Sequence, residues 1–195
     1  MELQHRRTIK FGNRKVPVTT GIFNVCSATD CPSRKLGLCQ VINAGKRCYA
    51  LRDEKYFPGP LGYRRRQERL WDSLTADQFA DQFISLAGRR RTLTKALRLN
   101  EAGDFRNQDD LRKAEAIARR LAEVEVATYC YTARRDLDFS DVHTMTVNGS
   151  GFKVHGEFKM ILTPEERPTG YTMCVGDCKV CSRCVFGKLT CVLPH

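Results

Sequence analysis

Ala96-Leu97-Arg98-Leu99-Asn100-Glu101-Ala102-Gly103-Asp104-Phe105 is the stretch that decides the fold. Up to Asn100 it alternates side-chain character as a strand does, and it then turns through Gly103. A helix follows, because Asn107 can cap it. The apolar positions of this helix recur at helical spacing: Leu111, Ala114, Ile117, Ala118 and Leu121. Residues 124–132 are β-branched and aromatic enough to form a second strand, so the order predicts a parallel crossover.

The flanking segments extend this α/β pattern. The further elements predicted are, in chain order, a hairpin with strands 8–11 and 16–19, a helix over 61–74, a helix from Thr75 in a capping box with Gln78, and strands 142–147 and 158–162 with a turn at 148–151. We expect an α/β protein with a partial or truncated βα barrel-like parallel sheet. A cysteine-rich metal-binding lid from both termini would cover it.

The domain organisation follows the cysteine distribution. Residues 1–165 are expected to form the α/β domain, with the hairpin and a cysteine loop at 21–50, and residues 166–195 a cysteine-rich metal-binding tail. The first ten residues lack an apolar signal region, and no apolar stretch is long enough to span a membrane. We expect a cytoplasmic protein, in the host cytoplasm if it is phage-encoded, and no membrane partner. The sequence carries no signal for its oligomeric state.

The charge balance suggests a phosphate-bearing partner. The chain of 195 residues has 33 Lys and Arg against 22 Asp and Glu, a net charge of +11, with arginine runs at 64–66, 89–91 and 134–135. Nucleic acid is a plausible partner for such a chain. The alternative is that the runs are solvated helix faces, since no recognised nucleic-acid motif accompanies them.

The ten cysteines point to metal, because in a reducing compartment clustered thiols bind metal rather than form disulfides. Four of them, Cys174, Cys178, Cys181 and Cys184, follow one another at intervals of four, three and three residues. The last three have the C-x2-C-x2-C spacing of bacterial ferredoxin loops, which favours an iron–sulfur cluster. Zinc is the alternative, as a ribbon or knuckle that braces the C-terminus.

The cysteines near the start carry a family resemblance. Cys31-Pro-Ser, Cys39 and Cys48-Tyr-Ala precede an arginine-bearing helix, and Ala102-Gly-Asp-Phe and Tyr129-Cys-Tyr-Thr follow in order. This order resembles the gene product 88 family of phage and actinobacterial proteins. The resemblance implies a phage or mobile-element origin and an iron–sulfur cluster. Asn100 departs from the family, which often has a histidine there.

A looser resemblance is to radical S-adenosylmethionine enzymes, which also begin with three cysteines ahead of a βα unit. It implies that Cys31, Cys39 and Cys48 hold a [4Fe-4S] cluster with one iron open to S-adenosylmethionine. Cys26 or one of the tail cysteines could be a fourth ligand, which would make the cluster structural. The spacing of Cys174, Cys178 and Cys181 also equals the C-x3-C-x2-C motif of those enzymes.

The acidic turn after the first predicted parallel strand is the candidate catalytic site. Asp104 and Glu101 lie where ligand-binding residues gather in parallel sheets, and either could act as a nucleophile or general base. Tyr131 would end the neighbouring strand on the same rim. With Tyr49 and Asn100 it is a candidate for binding a cofactor. The alternative for Asp104 is a purely structural turn after Gly103.

The function expected from these features is that of a phage-type iron–sulfur protein. It would be an enzyme acting on nucleic acid or a nucleotide-like substrate, with S-adenosylmethionine as a possible cofactor. One alternative is a non-catalytic, zinc-stabilised basic module that binds nucleic acid. Another is a base-exchange enzyme with Asp104 as its nucleophile and a purely structural metal.

Overall fold

The computed structural model describes residues 8–193, which build one eight-stranded sheet. The strands are β1 Lys10–Phe11, β2 Thr20–Phe23, β3 Ala96–Leu99, β4 Ala127–Thr132, β5 Thr146–Ser150, β6 Gly156–Met160, β7 Thr172–Met173 and β8 Thr190–Val192. Their order across the sheet is β1-β2-β3-β4-β5-β6-β8-β7. Only the β1–β2 pairing is antiparallel, so the predicted α/β class with a mostly parallel sheet is confirmed.

The helices lie mainly between β2 and β4. They are α1 Pro32–Lys35, α2 Gln40–Asn43, α3 Tyr49–Tyr56, α4 Pro60–Ser73, α5 Ala76–Gly88 and α6 Gln108–Ala122, with 3-10 turns at Pro164–Glu166 and Arg183–Phe186. Both predicted caps are present, since Thr75 and Gln78 form a capping box and the Asn107 side chain accepts from the backbone N–H of Asp110. Within residues 8–193, no helix has the length and apolar character to cross a membrane.

The sheet has a helix face and an opposite face, because successive side chains of a strand point to opposite sides. Leu97, Leu99, Cys130 and Val147 are buried in one apolar core with side chains of α4, α5 and α6. Arg98 alternates with the two leucines on β3 and therefore points to the other side. Strands β2 to β6 also lie side by side in chain order, as in the wall of a partial βα barrel.

Two sequence predictions about strands differ from the structure, and the tail adds strands that were not predicted. The hairpin exists, but its second strand is 20–23 instead of 16–19, because that segment also pairs in parallel with β3. Residues 148–150, predicted as a turn, are strand β5, and the chain bends at 151–155 instead. The tail contributes β7 and β8 to the main sheet, so tertiary pairing overrides the turn-like composition of these segments.

The connection between β4 and β5 has no helix and is held by one carboxylate. Glu115 on α6 accepts backbone N–H bonds from His143 at 3.3 Å, Thr144 at 3.0 Å and Met145 at 2.9 Å. Burial raises the pKa of Glu115, but these hydrogen bonds outweigh burial and the net pKa is lowered. The carboxylate form therefore fastens residues 143–145 to the helix.

Replacing Glu115 by Gln should destabilise the fold by about 1–3 kcal/mol, because an amide presents only one acceptor oxygen to these three donors. Glu123→Gln, at the exposed end of the same helix, is the matched control and should change little. Urea unfolding measures both. In the wild type, Glu115 adds to the free energy of unfolding above the pKa that its carboxyl has in the unfolded chain. This stabilisation is lost as the pH falls through the lower pKa of the folded state. Glu115→Gln should lack this part of the pH dependence, and Glu123→Gln should keep it. Equal midpoints for the two variants would contradict the role given to Glu115.

Candidate functional site

A cavity of about 1760 Å³ occupies the face of the sheet opposite α5 and α6. Its floor is built from alternate strand residues, among them Arg98 of β3, Tyr129 and Tyr131 of β4, and Phe158 of β6. The Tyr131 ring meets the Tyr129 and Phe158 rings edge-on, with centroids 6.2 and 5.3 Å apart. The floor is therefore aromatic, with one arginine in it.

Cysteines from both ends of the sequence line this one cavity. They are Cys31, Cys39 and Cys48 from the first group and Cys174, Cys178, Cys181 and Cys184 from the second. The two groups are more than a hundred residues apart in the chain, and the sheet brings them to a common space. No histidine among residues 8–193 lines it, so the soft donors that these residues offer there are all sulfur.

The three cysteines of the first group occupy equivalent local positions. Cys31, Cys39 and Cys48 are the N-cap residues of α1, α2 and α3, and none of their side chains makes a capping hydrogen bond. Burial, followed by the nearby charge of Asp104, raises the pKa of the Cys31 thiol to about 12. The loop thus presents three sulfurs at three successive helix starts.

Cys26, which the sequence suggested as a ligand, lies below the cavity. It is fully buried and does not line the cavity. Its Sγ donates to the carbonyl oxygen of Asp104 at 3.1 Å and accepts from the Asp104 backbone N–H at 3.3 Å. Burial raises the pKa of this thiol to about 12. Cys26 therefore packs the cysteine loop against the turn that follows β3.

A buried ion pair fixes the start of the cysteine loop. Arg64 of α4 meets Glu54 of α3 at 2.8 Å, and both side chains are more than nine-tenths buried. The Glu54 carboxylate also accepts the backbone N–H groups of Ala28 and Thr29, each at 2.7 Å. Burial raises the pKa of Glu54, yet the bonds from Arg64, Ala28 and Thr29 lower it overall. The Glu54 carboxylate, neutralised by Arg64, thus holds residues Ala28 and Thr29 just before Cys31.

Asp104 lies at the carboxyl end of the parallel strands, as the sequence predicted, but it is only 3% exposed. Its Oδ2 accepts from Ser33 Oγ at 2.5 Å and from the Ala133 N–H at 2.8 Å, and its Oδ1 accepts from the Phe105 N–H at 2.9 Å. A side-chain bond from Thr132 also lowers its pKa, but burial is the larger effect and raises it. Asp104 joins the ends of β3 and β4 to the cysteine loop.

The other predicted site residues lie around the same rim. Glu101 accepts from Asn13 Nδ2 at 2.6 Å, and its carbonyl oxygen accepts from the Tyr49 hydroxyl at 2.5 Å. Asn100 adopts a left-handed conformation with φ of 59°, and its buried Nδ2 has no hydrogen-bond partner. Tyr131 hydrogen-bonds to Cys184. Glu101, Tyr49, Asn100 and Tyr131 all line the cavity.

The second cysteine group is docked by hydrogen bonds to the body of the protein. The backbone N–H of Cys178 donates to the Lys15 carbonyl oxygen at 2.8 Å, and Asn148 Nδ2 donates to the Cys184 carbonyl oxygen, also at 2.8 Å. Burial raises the pKa of both thiols, and the neighbouring thiols of this group raise it further. The tail is therefore integrated into the cavity wall.

Metal ligation requires side-chain movement within these groups. Among residues 8–193, no three Cys, His, Asp or Glu side chains are arranged around the position of a single ion. The donor set still fits iron–sulfur or zinc chemistry, because seven thiols that lack disulfide partners line one space. Both carboxylate oxygens of Asp104 accept hydrogen bonds from the protein, so Asp104 is a poorer candidate for a metal ligand than the thiols are.

Arg98 and Ser33 are the site residues that sequence reasoning missed. Ser33 has no sequence signal, since its bond to Asp104 spans 71 positions. Arg98 does have one, because it is the charged residue in an otherwise apolar strand. The cavity is also strongly basic, with thirteen Lys and Arg against four Asp and Glu among those of residues 8–193 that line it.

The comparisons with known proteins give one match. A family model described as gene product 88 matches residues 4–184. No curated protein and no solved structure matches the chain.

Replacing Gly103 by Ala should destabilise the site more than its backbone conformation alone requires. Gly103 has φ of +70°, and an added Cβ would lie 2.3 Å from the Cys26 carbonyl oxygen. Gly170→Ala is the matched control, with φ of +84° and nothing within 4 Å of the new atom. We expect Gly103→Ala to cost roughly 1–3 kcal/mol more than the control in urea unfolding. Equal costs would show that the Cys26–Gly103 contact is not tight.

Proposed function

The chain belongs to the gene product 88 family, and from that premise we propose that it is an iron–sulfur protein of phage type. Cys31, Cys39 and Cys48 would hold a [4Fe-4S] cluster in the sheet cavity. The protein would be an enzyme of the cytoplasm that acts on nucleic acid or a nucleotide-like substrate. The observation that carries the proposal is the cavity itself, which is lined by seven cysteines from two distant segments.

A cluster suits the first cysteine group better than a single zinc ion does. The three cysteines begin three separate helices and are spaced by eight and nine residues, unlike the paired C-x-x-C knuckles of zinc sites. A cubane offers several irons, each of which can take one thiolate from its own direction. Three cysteines leave one iron without a protein thiolate.

An open iron would allow S-adenosylmethionine to bind through its amino and carboxylate groups and to receive an electron. The chain order of β2 to β6 favours this finer proposal, because the cysteine loop follows β2 and the acidic turn follows β3. Glu101, Tyr49 and Tyr131 would orient the cofactor from the rim. Asp104 would act through Ser33, by holding α1 and hence Cys31 in position. With both oxygens engaged, Asp104 has less support as a base-exchange nucleophile.

The substrate class is proposed from charge. Thirteen basic residues against four acidic ones around the cavity concentrate positive potential at its mouth, which attracts phosphates. Lys46 and Arg47 lie there, exposed and outside the ion pairs among residues 8–193. A single strand or a nucleotide could reach the cavity past these residues.

A second candidate function places zinc in the tail. Burial raises the pKa of the Cys178 and Cys184 thiols, and neighbouring thiols raise it further: Cys174 and Cys181 act on Cys178, and Cys178 and Cys174 act on Cys184. Their grouping supports one structural zinc ion that would brace the cavity wall. In that case the protein would be a zinc-stabilised module that binds nucleic acid without catalysis.

Anaerobically purified protein should be brown and contain roughly four iron and four sulfide per cluster. The Cys31→Ser, Cys39→Ser and Cys48→Ser triple variant should lose this iron and the associated absorbance. Cys178→Ser with Cys181→Ser should keep it. Cys130→Ala is the matched control, because Cys130 lies in the apolar core on the other face of the sheet.

Iron, sulfide and zinc analysis of the four proteins separates the candidates. Colourless protein with zinc that only the tail variant loses would refute the cluster and support the second candidate. If the cluster is present, S-adenosylmethionine should change the electron paramagnetic resonance spectrum of its reduced form. An unchanged spectrum would refute the open iron and leave a structural cluster.

Binding of a single-stranded oligonucleotide should weaken with salt through the basic rim. Removing Lys46 and Arg47 together, by substitution with Ala, should make the slope of log affinity against log salt shallower by about 1.4, at roughly 0.7 per phosphate contact. Arg89→Ala with Arg91→Ala removes two exposed charges that do not line the cavity and should leave the slope unchanged. Fluorescence anisotropy measures both. Equal slopes in the two variants, or no binding at low salt, would rule out this interface.

A further inference from the structure

Arg98 is a charged residue in the middle of a parallel sheet. It lies on β3 opposite Tyr129 of β4 and Ile22 of β2, and its side chain lines the cavity. The guanidinium carbon stands 4.9 Å from the centre of the Tyr131 ring. The group is therefore held against an aromatic surface at the cavity floor.

Among residues 8–193, no carboxylate forms an ion pair with this guanidinium, although Glu101 is close enough to act on its charge. The Nε atom of Arg98 is buried without a hydrogen-bond partner, and none of the ion pairs among residues 8–193 includes Arg98. The nearby carboxylate of Glu101 accepts instead from Asn13 at 2.6 Å. Burial of a cation without an anionic partner costs free energy, so its presence needs a compensating role.

Other buried arginines of the chain are satisfied. Arg64 pairs with Glu54 at 2.8 Å, and Arg134 pairs with Asp136 at 2.8 Å while also donating to the carbonyl oxygen of Phe105. Their side chains are 8% and 7% exposed. Arg34, Arg90 and Arg183 also have a buried Nε without a partner, but each donates through Nη2 to a backbone carbonyl oxygen. Within residues 8–193, Arg98 has neither an ion pair nor such a bond.

We propose that Arg98 is the oxyanion-binding residue of the cavity and receives a carboxylate or phosphate group of a small ligand that lies on the sheet floor. The planar guanidinium fork matches either group with two parallel hydrogen bonds, and the Tyr131 ring behind it fixes its plane. Tyr129 and Tyr131 border the same floor, so the rest of the ligand would pack on aromatic rings. The proposal needs no metal cluster, although it places the ligand between the two cysteine groups.

The charge distribution separates this subsite from the rim. Lys46 and Arg47 are exposed at the mouth, where a long polyanion can reach them, whereas Arg98 is partly buried on the floor. Burial strengthens a single ion pair because less water screens it. Arg98 therefore selects a ligand small enough to enter the cavity with its anionic group first.

The test measures oxyanion binding by the purified full chain from the shift in its melting temperature. The probes are pyrophosphate for the phosphate class and malonate for the carboxylate class, each against sodium chloride of equal ionic strength. We expect at least one probe to stabilise the wild type saturably. Arg98→Met should lower the affinity for that probe roughly tenfold or more, because a charge-assisted hydrogen bond is lost. Arg98→Lys should give an intermediate affinity because it keeps the charge but not the fork.

Arg91→Met is the matched control, because Arg91 is exposed and does not line the cavity, and it should bind like the wild type. Without a probe, Arg98→Met should melt at or above the wild-type temperature, since it removes an unpaired buried charge. A lower melting temperature together with unchanged probe affinity would assign Arg98 a structural role and overturn the proposal. A wild type that responds to neither probe would also overturn it.

The same measurement on the variant lacking Cys31, Cys39 and Cys48 separates this proposal from the cluster. Retained oxyanion binding there supports the Arg98 site whether or not iron is bound. Cluster-loaded protein without any oxyanion response overturns the Arg98 site alone.

Discussion

The buried carboxylate of Asp104 is the interaction on which the cavity depends. Its two oxygens accept from Ser33 in the cysteine loop, from the Phe105 N–H after β3, and from the Ala133 N–H after β4. Three chain segments distant in sequence therefore share one hydrogen-bond centre. The burial that raises the pKa of Asp104 would be costly alone, and the hydrogen bonds offset it. The bond from Ser33 holds helix α1, and with it Cys31, against the ends of these strands.

The parallel sheet explains why these segments meet. The carboxyl ends of β2, β3 and β4 lie at one edge, because the strands are parallel and adjacent. The cysteine loop leaves β2 at that edge, the Glu101–Asp104 turn leaves β3 there, and β4 ends there. Gly103 then allows the turn to approach Cys26 more closely than any side chain would permit. Topology brings the residues together, and the glycine and the carboxylate fix their spacing.

The sequence predicted correctly those elements that depend on interactions between residues close together in the chain. The Thr75–Gln78 capping box, the Asn107 cap and the strand that carries Leu97 and Leu99 were all predicted correctly. Residues 148–150 were not, because Asn-Gly-Ser has turn-like composition and becomes strand β5 only through pairing with β4 and β6. Clustering of the cysteines was visible, but their sharing of one cavity depends on β7 and β8 joining the sheet. Whether Arg98 on β3 has a carboxylate partner also depends on contacts between distant segments, so the sequence could not predict it.

Basic side chains and cysteine thiols line the same cavity. Basic groups repel one another there, and the excess of thirteen over four is costly unless negative charge enters. Cysteine ligands become thiolates when they bind metal, and a thiolate-ligated centre carries negative charge. Burial raises the pKa of the Cys178 and Cys184 thiols, and the nearby charge of Arg98 opposes that shift. The proposed cluster, the oxyanion and the phosphate-bearing substrate would each bring negative charge to this basic cavity, so the three proposals agree in the sign of the charge that they require.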